Sequence, residues 1–205
     1  MGMDAKGLDV MSNYELKLSV VEGMKQLMDI PFEKLSISDI CKAAGISRST
    51  FYRYFDDKYA VVQWHINSLF IGGADEIGRT LSWYEGYMVT EATMSEHLEF
   101  YRWASKSDDR NAIDNYSPRS RRAALRKTVT EYKRLELTEQ LRFEIDVIVE
   151  AETHLFPRWH NGSYDCTLEE ICTWMTQAVP DHLFELLDEP VSPRKIILPR
   201  IIRNS

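Results

Sequence analysis

Apolar residues recur along most of this chain at intervals of three and four positions, and alternating runs of β-branched residues are scarce. Such intervals place apolar side chains on one face of an α-helix. The first stripe of this kind consists of Tyr14, Leu18, Val21, Met24 and Met28. The pattern predicts an all-α protein whose first helix covers residues 13–29 and stops before Pro31, because proline lacks a backbone N–H group.

Two short helices separated by a glycine are predicted between residues 36 and 55. Ser36 and Asp39 have the spacing of a capping box, in which both side chains bind free N–H groups at a helix start. Gly45 can adopt the left-handed conformation that ends a helix, and Ser47 can cap the next one. A helix, a tight turn and a second helix in so short a span are the sequence form of a helix-turn-helix.

The rest of the chain is also predicted to be helical. Asp57 can cap a fourth helix that runs to residue 78. Further helices are predicted near residues 92–106, 118–134, 136–158 and 168–188. The last two are long and amphipathic, which suits packing within one subunit as well as pairing with a partner subunit.

The formal net charge of −7 counts against a nucleic-acid partner only if it is spread evenly along the chain. Binding to DNA requires local cations that replace the counterions of the phosphates. The cations of residues 42–58 are Lys42, Arg48, Arg53 and Lys58. Because only Asp56 and Asp57 oppose them, the positive surplus coincides with the predicted helix-turn-helix.

The second helix of a helix-turn-helix enters the major groove with its first turn nearest the base edges. Arg48 lies in this turn and can donate two parallel hydrogen bonds to guanine, so it is the predicted base reader. Lys58 adds a cation near a helix start, where a phosphate can bind. The predicted DNA-contacting residues are Ser36, Ser38, Arg48, Ser49, Thr50, Tyr52, Arg53, Tyr54 and Lys58. Helix capping alone explains Ser36 equally well.

The run from Ile37 to Lys58 reads ISDICKAAGISRSTFYRYFDDK and resembles the DNA-binding domain of the tetracycline-repressor (TetR/AcrR) family. The resembling parts are the turn Ala44-Gly45-Ile46-Ser47, the recognition-helix core Thr50-Phe51-Tyr52, and the exit formed by Tyr54-Phe55 with Lys58. A lone helix-turn-helix pattern is weak evidence, whereas this agreement is continuous and extends over the whole three-helix head.

The resemblance implies a homodimer of all-helical subunits. It implies a DNA-binding domain over residues 1–60 and a helical domain over residues 61–205 for dimerisation and effector binding. The implied function is sequence-specific regulation of transcription, usually repression, from a pseudo-palindromic double-stranded operator. The resemblance also implies that the protein releases this operator when it binds a small molecule. Residues 65–205 contain no motif of equal specificity, so the identity of any effector stays open.

Three features of the C-terminal part each have two interpretations. Its aromatic residues either fill a core or line a ligand pocket, and the predicted pocket set is Trp83, Phe100, Trp103, Tyr132 and Phe143. The basic stretch 119–134 is either a second anion-binding surface or a solvated helix face. The basic, apolar tail 193–205 either docks across a dimer interface or packs on its own subunit.

No catalytic or metal-binding motif stands out in the sequence. It contains no G-x-S-x-G elbow, P-loop or H-E-x-x-H motif, so we predict neither an enzyme nor a cofactor or metal site. Two rival hypotheses are a coactivator that kept the fold but lost DNA binding, and an enzyme built in the C-terminal bundle. An odd number of cysteines, no apolar leader and no membrane-length apolar run predict a cytoplasmic protein with reduced thiols.

Overall fold

Helices form the regular structure of residues 13–105 and 116–195, the parts of the chain that this computed structural model describes. They are α1 (Asn13–Lys25), α2 (Ile37–Ala44), α3 (Arg48–Tyr54), α4 (Lys58–Phe70), α5 (Trp83–Glu96), α6 (Leu98–Ala104), α7 (Tyr116–Lys127), α8 (Glu139–His160), α9 (Leu168–Gln177) and α10 (Asp181–Leu187). A π-helical turn, Thr128–Tyr132, extends α7. The predicted all-α class is confirmed.

The helix-turn-helix begins and ends where its capping residues dictate. The Ser36 hydroxyl accepts a hydrogen bond of 3.2 Å from the Asp39 N–H group, and the Asp39 carboxylate accepts one of 3.3 Å from the Ser36 N–H group. Gly45 ends α2 with a φ of 67°, a value that glycine adopts without a steric penalty. The Ser47 hydroxyl caps α3 by accepting from the Thr50 N–H group at 3.0 Å. All the predicted caps of these two helices are present.

Several predicted helix boundaries were wrong because local breaking signals were missed. The helix predicted over 13–29 ends at Lys25, and α4 ends at Phe70 instead of residue 78. Ser82 and Glu85 form a capping box that starts α5, nine residues before the predicted helix at 92–106. Pro180 divides the segment predicted as one helix over 168–188 into α9 and α10, since a proline cannot continue the hydrogen-bond ladder.

One of two hydrophobic cores joins α1–α4 with α6. Fully buried residues of the head in this core are Val20, Val21, Met24, Ile40, Phe51, Val61 and Val62. Phe100 and Trp103 of α6 pack among them, and the Trp103 indole N–H donates a hydrogen bond of 2.8 Å to the Ile30 carbonyl. The core of the DNA-binding head therefore includes residues about forty positions beyond the helix-turn-helix. Such packing is possible because the entropy cost of closing a loop grows only slowly with its length.

The second core lies among α5 and α7–α10. Its largest fully buried side chains include Trp83, Tyr87, Leu125, Ile145 and Ile148. In the described part of the chain, no helix combines the length and apolarity that crossing a membrane requires. The start of the tail packs on its own subunit, where the Arg194 N–H group donates to the Thr80 carbonyl at 3.1 Å. Residues 196–205 of the predicted tail lie outside the described residues.

Helices α1 and α2 approach each other most tightly at Gly23. A Cβ atom on this glycine would lie 2.8 Å from the backbone nitrogen of Ala44 and 3.1 Å from its Cα atom. Both atoms belong to the backbone, which cannot move aside as a flexible side chain can. The close approach of α1 to the last turn of α2 therefore requires glycine at this position.

Gly23→Ala is expected to lower the free energy of unfolding by about 1–3 kcal/mol, the usual cost of overpacking a tight site. Urea denaturation followed by circular dichroism measures the change. Gln26→Ala is the control, since Gln26 follows the same helix and its side chain is exposed. Equal stability of the Gly23 variant and the wild type would contradict the close approach.

Candidate functional site

Helix α3 is anchored to the head by two aromatic rings four residues apart. Phe51 is 0% exposed and Phe55 is 4% exposed, and residues four apart in a helix lie on the same face. The opposite face of α3 carries Arg48, Ser49 and Tyr52, which are all exposed. The structure therefore presents the predicted base reader and its neighbours on one free helix face, while the buried face fixes the orientation of the helix.

The first turn of α3 is ordered by its own side chains. The Ser47 hydroxyl lies 2.8 Å from the Ser49 hydroxyl and 2.9 Å from the Thr50 hydroxyl. The Arg48 guanidinium lies 6.0 Å from the centroid of the Tyr52 ring, at the outer limit of a cation–π contact. These contacts hold the short hydroxyl side chains close to the helix start, beside the exposed side chains of Arg48 and Tyr52.

The remaining predicted contacts occupy different positions around α3. Arg53 and Ser38 are exposed. The Tyr54 hydroxyl donates a hydrogen bond of 2.8 Å to the Asn13 side chain, which ties the end of α3 to the start of α1. The Ser36 hydroxyl is taken up by the capping box described above. Contact of these residues with phosphate stays a prediction, and Ser36 and Tyr54 have a structural role besides.

Lys58 has a structural role that sequence reasoning missed. Its ammonium group donates to the carbonyl groups of Phe32 at 2.7 Å, Glu33 at 2.9 Å and Leu35 at 3.1 Å. Burial is the main cause that lowers the pKa of Lys58, and Glu33 and Asp57 act in the opposite direction. An ammonium group has three donors, so the linker before α2 uses them all in this conformation. No residue pattern in the linker signals this, since the acceptors are backbone atoms.

A cavity of about 250 Å³ lies among α4, α5, α6, α7 and α8. Its apolar wall includes Ile66, Phe70, Met94, Leu98 and Phe156. Most of its exposed inner surface is apolar, and polar side chains interrupt that surface at a few points. A partly enclosed, mostly apolar space with a few converging polar groups has the character of a small-molecule site.

A buried ion pair forms one polar part of the cavity wall. The Arg121 guanidinium binds both carboxylate oxygens of Glu152, at 2.9 and 3.1 Å, and the Ala74 carbonyl at 2.8 Å. The Tyr87 hydroxyl donates to Glu152 at 2.9 Å, and Asp75 lies 3.9 Å behind the guanidinium. Burial is the largest single influence and opposes the charge of Arg121, but Glu152, Tyr87 and Asp75 together outweigh it and leave the pKa of Arg121 raised.

The second polar part of the wall is a histidine–carboxylate contact. Nε2 of His160 lies 2.8 Å from Glu91 Oε2, and both side chains are less than one-tenth exposed. Burial raises the pKa of Glu91, and the His160 hydrogen bond partly offsets this. No sequence motif joins these two residues, which lie 69 positions apart in the chain. Within the described residues no group of three or more His, Cys, Asp or Glu side chains is arranged to hold a metal ion.

The five aromatic residues predicted for an effector pocket do not come together, and none of them lines the cavity. Trp83 lies in one core, while Phe100 and Trp103 lie in the other. Tyr132 and Phe143 are on the surface, 42% and 69% exposed. The physical reason is that large apolar rings gain most from full burial in a core, so aromatic character alone does not mark a pocket.

The basic stretch 119–134 is largely paired with carboxylates. Arg121 is buried against Glu152, and Arg122 binds Asp146 at 2.8 Å and also Glu150. Arg126 reaches Asp146 at 3.4 Å, and Lys127 reaches Glu131 at 3.6 Å. Neither predicted alternative describes this arrangement fully, because most of these cations hold α7 against α8 or neutralise their own helix.

Helix α4 of the head lines the cavity directly through Ile66 and Phe70, and a hydrogen bond also ties it to α6. Tyr101 of α6 lines the cavity, and its hydroxyl lies 2.9 Å from Nδ1 of His65 on α4. Burial lowers the pKa of His65 to about 3, with smaller contributions from His97 and Lys25, so this imidazole is neutral near pH 7. Helix α4 starts at Lys58, directly after the recognition helix. The cavity wall is therefore in direct contact with the helix that follows α3.

The N-terminal part of the chain matches a known family. The model for bacterial regulatory proteins of the tetR family matches residues 21–63, which span the end of α1 through the first turns of α4. No curated protein shows significant similarity to the sequence. The match covers the helix-turn-helix and the Lys58 contact described above.

Two solved structures share the fold. One is the dihydroxyacetone kinase operon activator DhaS, with a TM-score of 0.58, 16% identity, and coverage of 86% of this chain and 100% of that chain. The other is the TetR family repressor AlkX from Dietzia sp. strain DQ12-45-1b, implicated in biodegradation of n-alkanes, with a TM-score of 0.50 and 19% identity. It covers 83% of this chain and 100% of that one. At these identities the likeness concerns the fold alone.

Lys58→Met is expected to lower the free energy of unfolding by about 1.5–3 kcal/mol, because charged hydrogen bonds to the linker carbonyls are lost. Urea denaturation of the full chain measures the loss. Lys34→Met is the matched control, since Lys34 is an exposed lysine of the same linker. If Lys58→Met keeps the stability of the wild type while DNA binding weakens, the lysine acts at the phosphate and not on the linker.

Proposed function

Because the chain belongs to the TetR family of bacterial transcription regulators, we propose that it is a cytoplasmic repressor that binds a pseudo-palindromic operator as a homodimer. Family membership itself makes the chain a DNA-binding regulator and not an enzyme. The observation that carries the proposal is α3, whose buried aromatic face leaves Arg48 and Tyr52 free. Two such helices related by two-fold symmetry would enter successive major grooves about 34–36 Å apart.

The first test is selection of randomised duplex DNA on the purified protein. An Arg48→Ala/Tyr52→Ala double variant is the control, because both residues are exposed and their loss should leave the fold intact. Enrichment of a two-fold-symmetric site by the wild type alone supports the proposal. Failure to enrich any sequence at low salt overturns it and favours the rival in which a protein partner replaces DNA.

The direction of regulation needs a separate measurement. A promoter that contains the selected site is transcribed in vitro with increasing amounts of protein. A repressor that covers the promoter reduces the transcript, as proposed. An increase in transcript would identify an activator while leaving the proposed DNA-binding role intact.

Arg48→Ala is expected to weaken binding to the best site by about 1–3 kcal/mol and to relax the preference at one base pair in each half-site. The reason is that a bidentate arginine contact discriminates guanine from the other bases. Titration of the selected site and of single-base variants measures both effects. Arg53→Ala, on the same helix, is the comparison. Equal losses for Arg48→Ala on every duplex would contradict its role as the base reader.

The proposed dimer uses apolar side chains that α8 and α9 leave in solvent. Phe143 is 69% and Val147 is 42% exposed, and their spacing of four places them on one face of α8. Trp174 of α9 is 49% exposed. Large exposed apolar groups on neighbouring helices are typical of protein–protein interfaces. This supports dimerisation through the helices whose amphipathic pattern the sequence displays.

Phe143→Glu is expected to convert the dimer to a folded monomer, because it places a charge in an apolar interface where it has no partner. Sedimentation velocity measures the mass, and operator titration should show the loss of two-fold binding. Ile71→Glu is the matched control, since Ile71 is 71% exposed at the end of α4. A dimer that persists in Phe143→Glu at micromolar concentration would contradict the proposed interface.

The proposed effector site is the cavity among α4–α8. Its wall includes Tyr101, whose hydrogen bond to His65 links the cavity to α4. A ligand that displaces Tyr101 would shift α4 and thereby change the spacing of the two recognition helices. This is the structural support for release of the operator by a small molecule.

A further inference from the structure

The buried charges around the cavity do not balance. The cavity wall carries two carboxylates that are less than one-tenth exposed, those of Glu91 and Glu152, and one buried guanidinium, that of Arg121. With both carboxylates ionised, the cluster of Glu91, Glu152 and Arg121 carries one net negative charge, and the carboxylate that Arg121 leaves uncompensated is that of Glu91. Arg102 also lines the cavity, but it is exposed and donates to the His160 carbonyl, so water screens its charge. Because the cluster is buried, its potential acts on the cavity at low screening.

Arg121 is not available to a ligand. Glu152 binds its guanidinium at two nitrogen atoms, and the Ala74 carbonyl occupies the third. The arrangement is the fork-to-fork geometry in which an arginine is most fully neutralised by one carboxylate. An anionic ligand would have to break this pair and leave Glu152 as an unpaired buried charge, which is strongly unfavourable.

The Glu91 carboxylate can accept further hydrogen bonds. Its Oε2 atom contacts His160 at 2.8 Å, and no other hydrogen bond to this carboxylate is found within residues 13–105 and 116–195. An ionised carboxylate offers about four lone-pair sites. Burial is the main cause that raises the pKa of Glu91, so the surroundings of this carboxylate disfavour its negative charge. A cation next to Glu91 would remove that penalty.

Aromatic rings surround the same space. Phe70, Tyr87, Tyr101 and Phe156 all line the cavity, and the Tyr87 and Phe156 rings pack edge to face with centroids 5.3 Å apart. The faces of aromatic rings attract cations, more strongly where water is excluded. A cavity of about 150 Å³ accommodates benzene, so the present one, about 250 Å³, suits a ligand of one or two rings.

We propose that the cavity takes an organic cation, a small aromatic amine or quaternary ammonium compound, with its charge at Glu91 and its apolar body among the aromatic rings. This inference rests on the proposed effector site and names its ligand class. The recognition has two components. The Glu91 carboxylate selects the charge, and the apolar wall selects the ring.

The test compares three benzyl compounds of similar shape on the full-length protein by isothermal titration calorimetry. They are the cation benzyltrimethylammonium, the neutral benzyl methyl sulfone and the anion benzylsulfonate. The cation is expected to bind at least about tenfold more tightly than the other two, which is about 1.4 kcal/mol. Equal or tighter binding of the sulfone or the sulfonate overturns the proposal, and so does the absence of binding by all three at millimolar concentration.

Glu91→Gln keeps the shape of the side chain and removes its charge. It is expected to weaken cation binding about tenfold and leave sulfone binding unchanged, whereas Glu96→Gln, at an exposed position of the same helix, should change neither. Unchanged cation binding in Glu91→Gln overturns the assignment. Should that variant fail to fold, the wild type provides the readout. Affinity for the permanently charged cation must fall as the pH drops from 7 towards 5, because protonation of Glu91 removes the anionic partner.

Operator binding without ligand, measured in the same preparations, separates this inference from the proposed function. If the protein binds the operator but shows no preference for the cation, the proposed ligand class is wrong and the proposed regulator stands. If the cation binds but operator affinity does not change, the proposed ligand class stands, and release of DNA by that ligand is wrong. Loss of operator binding in the ligand-free wild type removes the proposed regulator, whatever the cavity binds.

Discussion

The aromatic residues of α6 pack into the core of the DNA-binding head, and this contact joins the two parts of the molecule. The Trp103 ring meets Phe32 edge to face, with centroids 5.1 Å apart, and its indole N–H binds the Ile30 carbonyl. A head of about sixty residues buries a modest fraction of its surface alone, so added aromatic area matters for its stability. Because Trp103 and Phe100 lie within that core, α6 is packed as part of the head.

This packing has a consequence for the cavity, since α6 also forms part of its wall. Tyr101 faces the cavity between the two residues that enter the head core, and it hydrogen-bonds to His65 of α4. The recognition helix ends only a few residues before α4 begins. A ligand in the cavity thus needs no long chain of contacts to act on the helix that follows α3, because Ile66 and Phe70 of α4 line the cavity and Tyr101 is hydrogen-bonded to α4.

Buried charge in this molecule divides into two kinds. The Arg121–Glu152 pair is closed, because each guanidinium nitrogen and both carboxylate oxygens have a hydrogen-bond partner, and breaking it would leave an unpaired buried charge. Glu91 is open, since one histidine contact leaves most of its acceptor capacity facing an apolar space. Open buried charges are costly for folding alone, which is why perturbed carboxylates so often mark ligand sites.

The sequence by itself determined the helix-turn-helix, because its signals are local. Ser36, Gly45 and Ser47 each act on backbone groups within four residues, and the spacing of Phe51 and Phe55 is enough to orient α3. Only the tertiary structure decided the cavity, the Lys58 contacts with the linker and the entry of α6 into the head. Some of these features depend on groups that are far apart in the chain. Others depend on backbone carbonyl groups, which every residue has, so the residue types do not indicate which carbonyl groups will be contacted.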